Sequence, residues 1–283
     1  METIMDRIGV IGTGSMGSML VDAWLTAKAL SPGQITIYNR TPAKAASLAE
    51  RHPGLRVAEN GLQLVNESQV LLLCVKPLEY SQVLEQITPA LTREHLLITI
   101  TSPIQLEQLE ALVPSPVARV IPSITNAAKS GVSLCEFGSR IEEAHRQLIF
   151  SLFSPISQPV EIVPPFLRIS ADLVSCGPAF LSYTLQQMIE DAISETGISR
   201  EAATYLVTQM VIGVGQLLQQ EMFTLPALQQ RVCVPGGVTG EGLRVMEERI
   251  PGMFAQVFAR TQAKFAEDQE LASLRLSQVP TEN

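Results

Sequence analysis

RIGVIGTGSMG, running from Arg7 to Gly17, is the stretch whose reading decides the fold. A β-branched apolar run, Ile8, Val10 and Ile11, passes directly into Gly12-Thr13-Gly14-Ser15-Met16-Gly17, and an amphipathic segment rich in Ala, Leu, Trp and Met continues to Ala29. The pattern predicts a strand, a tight turn and a helix. Gly12 permits the sharp turn, Gly14 lets backbone approach a pyrophosphate with no Cβ in the way, and Gly17 lets the helix lie close on the strand. The helix N-terminus then presents unpaired N–H groups and the positive end of its dipole to phosphate oxygens. A lone glycine triplet is weak, but strand, turn and helix fall here in the order a dinucleotide site requires.

Beyond this turn the chain repeats β-α-β. Residues 34–38 alternate like a strand, Thr41-Pro42 caps and opens a helix to about Arg51, 55–58 form a short strand and 61–66 a short helix. Residues 70–75 are fully apolar, as in strands buried inside parallel sheets. Helices over 79–87, 104–112 and 140–153, strands over 96–100, 117–121 and 132–135, and an edge strand over 160–163 complete a doubly wound Rossmann-type α/β domain, residues 1–163. Composition changes at Pro164-Pro165. Residues 164–283 read as an all-α domain with helices near 166–174, 177–195, 200–221, 225–231, 239–248 and 253–267, and a polar tail after Asp268 that should fray. The helices over 177–195 and 200–221 carry apolar residues on more than one face and need cover on several sides. They predict a dimer packed through this half.

A chain of 283 residues with 46% hydrophobic and 17% charged content buries a sizeable core and suits two domains. Its net charge of −8 argues against a nucleic-acid partner. Cys74, Cys135, Cys176 and Cys233 are far apart and His52, His95 and His145 are scattered, so buried thiols in a reducing compartment are expected, with no metal site. The first strand begins within ten residues of Met1, which leaves no room for a signal peptide. The most apolar later stretch, 205–218, is broken by Thr208, Gln209 and Gln216 and reads as a buried helix, with no membrane span. A cytoplasmic protein is expected.

Cofactor choice falls to the end of the second strand. An NAD site of this type places Asp or Glu about 20 residues beyond the glycines, where it accepts the ribose hydroxyls. This chain has Asn39-Arg40-Thr41. Arg40 can grip a 2′-phosphate while Asn39 and Thr41 donate hydrogen bonds, so NADP is expected, with NAD as the alternative. An exposed Arg beside a helix cap is the plainer reading of the same residues. Val75, Lys76 and Pro77 close the fourth strand at the carboxyl edge where such sheets bind ligands, along the ribose and nicotinamide, although Pro77 also simply ends a strand. The loop 123–126 lies on the same edge and is placed to contact nicotinamide or substrate.

In the helical half, Val234-Pro-Gly236-Gly237-Val238-Thr239-Gly240 stands out. Adjacent glycines feeding a helix make a second anion cradle, suited to a carboxylate, with the Thr239 hydroxyl in reach of a neighbouring atom. An interhelical turn with Thr239 as its N-cap is the competing reading. Ser175-Cys176-Gly177-Pro178 reads as a cap and helix start, and Cys176 has no histidine nearby in sequence to activate it as a nucleophile. No Lys occurs between Lys129 and Lys264, and residues 164–283 contain no His. That argues against the β-hydroxyacid dehydrogenases, which share the two-part layout but use a helix-borne Lys. Reduction of a cyclic imine fits: protonated C=N is already electrophilic, so the protein need only hold the carboxylate, bond the nitrogen and place the hydride donor.

Taken in order, Gly12-x-Gly14-x-Met16-Gly17, Asn39-Arg40-Thr41, Asn60, Val75-Lys76-Pro77, Gly177-Pro178-Ala179 and Pro235-Gly236-Gly237-Val238-Thr239 resemble pyrroline-5-carboxylate reductase over nearly the whole chain. The resemblance implies a Rossmann domain, an intertwined helical homodimer that can build larger rings, and NADPH or NADH as donor. By match, Gly12 to Gly17 would hold the pyrophosphate, Asn60 the ribose region, and Val75, Lys76 and Pro77 the nicotinamide side. Gly236, Gly237, Val238 and the start of the next helix would hold the substrate carboxylate, and Thr239 the ring nitrogen. The chain departs from the family pattern at Ser123, where Asn is usual, at Cys176 and Phe180, and at Val238. With these changes it resembles a late-competence branch of the family. That branch implies a nucleotide-binding regulatory role, or an altered substrate, as the alternative to proline formation.

Overall fold

The computed structural model describes residues 7–279. β1 (Ile8–Ile11), α1 (Ser15–Thr26), β2 (Ile35–Tyr38), α2 (Pro42–Arg51), β3 (Arg56–Val57), α3 (Gly61–Asn66), β4 (Val70–Leu73) and α4 (Tyr80–Ile87) come first in chain order. β5 (Leu96–Thr99), α5 (Leu106–Leu112), β6 (Val117–Ile121), β7 (Val132–Phe137), α6 (Glu143–Phe153) and β8 (Gln158–Glu161) follow. The strands make one sheet in the order β3-β2-β1-β4-β5-β6-β7-β8. Among the described residues only β6 and β7 pair antiparallel. The order reverses between β1 and β4, which is the Rossmann topology.

Strand periodicity explains why helices cover both faces. Ile8 and Val10 of β1, Val70 and Leu72 of β4, and Leu96 and Ile98 of β5 enter one core with Leu20, Trp24 and Phe153. The alternate residues Ile11, Leu71, Leu73 and Leu97 enter a second core with Leu64, Leu84 and Leu109. Every one of these strand residues is buried, so the strands read as unbroken apolar runs. Trp24 pins α1 to α6 on the same face of the sheet: its ring meets Phe153 edge-on at 5.5 Å, and its indole N–H donates to the Leu152 carbonyl at 2.9 Å.

The helical half consists of α7 (Leu167–Ala171), a π-turn over Asp172–Cys176, α8 (Gly177–Thr196), α9 (Arg200–Gln219), α10 (Leu225–Val232), α11 (Val238–Arg249) and α12 (Met253–Leu276). The chain divides into two compact units, one of residues up to Cys176 together with those from Thr261 onward, the other Gly177–Arg260. The compositional break at Pro164 thus marks the end of strand structure, while the compact units separate a dozen residues later. In the second unit, Gly197 at φ +72° ends α8, and the Ser199 hydroxyl caps α9 by accepting from the Ala202 N–H. Ile189 is the only buried residue of α8 and Ala203 the only one of α9. Leu181, Tyr183, Met188, Tyr205, Leu206, Met210 and Ile212 remain exposed in the single chain.

Three expectations are corrected. The residues after Asp268 do not fray: α12 runs to Leu276, and Ala272 and Leu276, four residues apart on one helix face, enter the second core beside Leu106 and Leu109. The Gln108 side chain seals this contact by donating to Ser273 Oγ at 2.7 Å. Ser175 does not cap a helix. Its hydroxyl donates to the Pro122 carbonyl at 2.9 Å, while Ser123 Oγ donates to the Val174 carbonyl at 2.7 Å. The π-turn widens the backbone there and leaves carbonyls for this exchange. The first helix stops at Thr26, three residues early, because Lys28 turns to φ +56°.

Candidate active site

The turn after β1 is built as the glycine spacing requires. Gly12 sits at φ +100°, and a Cβ there would stand 2.6 Å from the Cys74 carbonyl oxygen. Gly17 is buried, and a Cβ on it would collide with the Gly12 carbonyl, so α1 lies on the turn itself. Gly14 is different: a Cβ would meet nothing of the protein within 4 Å. The missing side chain therefore keeps open the space in front of the turn. Gly14 is the N-cap of α1 with no side-chain cap and no acid in the first turn, so the N–H groups of Ser15, Met16 and Gly17 have no acceptor within the helix. Thr13 Oγ1 is buried without a hydrogen-bond partner among the described residues. A free amide cluster, an open glycine and an orphaned hydroxyl fit the pyrophosphate of a dinucleotide.

A cleft of about 270 Å³ opens in front of this turn along the carboxyl ends of β1, β2 and β4. It brings together Gly12, Gly14, Asn39, Arg40, Thr41, Val75 and Lys76 from the sequence reading, and adds Tyr38, Lys44, Glu79, Gln82, Val83 and Gln86. Thr13, Ser15, Met16, Gly17, Asn60 and Pro77 are not in its lining. Asn60 caps α3, its Oδ1 accepting the Gln63 N–H at 2.9 Å. Pro77 opens a 3₁₀ turn, Pro77–Glu79, that leads into α4. Asn39 holds the site together: its Oδ1 accepts from the Thr13 N–H and its amide donates to the Thr41 carbonyl, both at 3.0 Å.

Arg40 is exposed but not free. Its guanidinium donates to Glu79 at 2.8 Å and to Gln82 at 3.3 Å. Lys44 lies in the first turn of α2, four residues after Arg40, and its side chain makes no ion pair or hydrogen bond among the described residues. The sequence reading missed Lys44 and Glu79. Lys44 was legible as a second cation in the first turn of α2, whereas only the folded turn after β4 carries Glu79 to Arg40.

The loop 123–126 does not present its polar groups to a ligand. Ser123 and Asn126 are buried, and the Ser123 N–H donates to Asn126 Oδ1 at 2.8 Å while the Asn126 amide donates to the Ser130 carbonyl at 2.9 Å. Burial pushes the Cys176 thiol up, against the opposing pull of Arg168, whose guanidinium donates to its sulfur at 3.4 Å. It stays a protonated thiol, unsuited to attack.

In the helical unit, Gly236 at φ +75° turns the chain into α11. The N-cap is Gly237, with no side-chain cap, which rules out Thr239 as the cap. Thr239 instead lies in the first turn, and its hydroxyl makes no hydrogen bond among the described residues. The Gly240 N–H returns to the Gly237 carbonyl at 3.2 Å, leaving the amides of Val238 and Thr239 without helix acceptors.

A profile for pyrroline-5-carboxylate reductase dimerisation matches residues 166–268, and one for NADP oxidoreductase, coenzyme F420-dependent, matches residues 7–103. ComE operon protein 4 of Bacillus subtilis is 46% identical over 93% of this chain and 96% of its own length. Pyrroline-5-carboxylate reductase 3 of the same organism is 28% identical over 92% of this chain and 96% of its own. This chain belongs to the pyrroline-5-carboxylate reductase family. The solved pyrroline carboxylate reductase of Plasmodium falciparum, with NADP bound, shares the fold at a TM-score of 0.79 with 22% identity, covering 94% of this chain and 98% of that one. The family is one of nicotinamide-dependent oxidoreductases. No helix among the described residues is long and apolar enough to cross a membrane.

Proposed function

We propose that the protein reduces 1-pyrroline-5-carboxylate, a cyclic imino acid, to L-proline with NADPH, as a cytoplasmic homodimer or larger homo-oligomer joined through its helical half. The observation that carries this reading is the start of α11: an uncapped helix N-terminus on Gly236-Gly237, with the free Thr239 hydroxyl in its first turn. The stretch between Lys129 and Lys264 holds no lysine, and no histidine lies beyond His145. Such a site holds an anion and bonds a neutral or protonated nitrogen, but supplies no strong acid, which suits an imine and not a ketone.

The amides of Ser15, Met16 and Gly17 and the Thr13 hydroxyl hold the pyrophosphate. Arg40, Thr41 and Lys44 face the adenosine end, and Val75 and Lys76 the nicotinamide side. Asn60, through its side-chain cap on α3, and Pro77, through its fixed backbone, act indirectly by fixing the turns that frame the cleft. Bound there, the reduced nicotinamide supplies a hydride. The amides of Val238 and Thr239, presented by Gly236 and Gly237, hold the substrate carboxylate. Thr239 Oγ1 accepts from the protonated ring nitrogen and so orients the C=N carbon, while solvent has already supplied the proton. The exposed apolar residues of α8 and α9 are the surface of the oligomer, in keeping with the match to the dimerisation profile.

Turnover of 1-pyrroline-5-carboxylate with NADPH tests the reading. Thr239→Ala should lower kcat/KM by about a hundredfold, a loss typical of one positioning hydrogen bond at a reacting centre, with NADPH affinity unchanged. Wild-type protein that binds NADPH but forms no proline refutes it. That result supports the second reading, a nucleotide-binding regulator, which the 46% identity to ComE operon protein 4 favours.

A further inference from the structure

We propose that Glu79 sets which nicotinamide dinucleotide the cleft accepts, by holding Arg40 away from a 2′-phosphate and supplying the carboxylate that the end of β2 lacks. The inference rests on the reading of this cleft as a cofactor site. β2 ends in Asn39-Arg40-Thr41, which carries a cation and no acid. Glu79 reaches the same cleft from the turn after β4, and both of its oxygens are engaged: Oε1 accepts from Arg40 at 2.8 Å and Oε2 from the Lys76 N–H at 3.3 Å. Gln82 takes the other terminal nitrogen of Arg40. The guanidinium is thus committed to the β4 side of the cleft.

This arrangement costs a 2′-phosphate twice. The phosphate carries up to two negative charges at neutral pH. It must draw Arg40 away from Glu79, and the carboxylate then remains nearby as a like charge. A 2′-hydroxyl meets neither obstacle and can donate to the carboxylate. Lys44 is the cation left over for a phosphate, so the three side chains together present one net positive charge where Arg40 and Lys44 alone would present two.

Glu79→Gln removes the charge but keeps an amide oxygen for the Lys76 N–H, so the turn is retained. The dissociation constants of NADPH and NADH, read by calorimetry on the full chain, test the inference. Surface ion pairing and like-charge repulsion of this size predict about tenfold tighter NADPH binding in Glu79→Gln, with no tightening of NADH. Lys44→Ala should weaken NADPH and leave NADH unchanged. An unaltered NADPH-to-NADH ratio in Glu79→Gln, in a protein that binds either nucleotide, overturns the inference while the cofactor reading stands. Wild-type protein that binds neither nucleotide overturns both.

Discussion

Gly14 and Gly17 stand three residues apart in one turn, and the structure assigns them opposite consequences on substitution by alanine. Gly14 has φ −74° and ψ −163°, a backbone any residue adopts, and its added Cβ would meet no protein atom within 4 Å. Replacing glycine by alanine at an N-cap costs a few tenths of a kcal/mol up to about 1, and reduced freedom of the unfolded chain returns about 0.4–1, so Gly14→Ala should leave stability nearly unchanged. The same methyl stands where a pyrophosphate must come against bare backbone. It should weaken NADPH about tenfold or more, which is about 1.4 kcal/mol. Gly17→Ala reverses the pattern. Its Cβ would fall on the Gly12 carbonyl oxygen and within 3.1 Å of the Cys74 Cβ, with backbone on one side and a packed strand end on the other. α1 must back away from β1, an overpacking cost of about 2–3 kcal/mol. Urea unfolding and NADPH titration of the two variants give four numbers. A Gly14→Ala protein that binds NADPH like wild type, or a Gly17→Ala protein with the wild-type unfolding midpoint, refutes the account of this turn.

Leu276→Ala should lower stability by about 2–4 kcal/mol, because a fully packed leucine leaves a cavity in the core it shares with Leu106 and Leu109. An unchanged urea midpoint would mean that the last turns of α12 do not pack there. Arg119, buried on β6, and Glu136, half-buried opposite it on β7, form a cross-strand ion pair, with Arg119 also donating to the Thr101 carbonyl at 3.1 Å. Burial pulls the Arg119 guanidinium down and pushes the Glu136 carboxyl up, and their mutual attraction opposes both shifts. Glu136→Ala should therefore cost about 3–5 kcal/mol by leaving a buried charge alone, while Arg119→Met with Glu136→Leu recovers most of it. Equal urea midpoints for the single and double variants would refute the pairing argument.

The sheet was legible because its strands are buried on both faces and therefore carry unbroken runs such as Val70-Leu71-Leu72-Leu73. The glycine turn between β1 and α1 was legible because glycine has few reasons to recur at that spacing. What escaped was set by distance along the chain. Glu79 and Arg40 lie 39 residues apart and meet only once β4 pairs with β1. The end of α12 escaped for another reason: Leu271, Ala272, Leu274 and Leu276 crowd four apolar residues into six positions without marking one helix face, and only the fold singles out Ala272 and Leu276 as the docked pair while Leu271 and Leu274 stay exposed. The reading of Ser175 as a cap failed because a π-turn has no signature in residue type. Its stabilising partners, Pro122 and Ser123, come from across the sheet edge.

Because α12 returns its last turns to the unit that holds β1, that unit is completed by both extremes of the sequence, with Gly177–Arg260 inserted between them. A ribosome delivers the N-terminal strands first, and domains generally fold as they emerge. Here the slot beside Leu106 and Leu109 stays open to water until more than a hundred further residues, the whole apolar α8 and α9 hairpin included, have been synthesised. The nascent sheet must wait with one greasy groove uncovered, which makes the final three turns of α12 its closing latch.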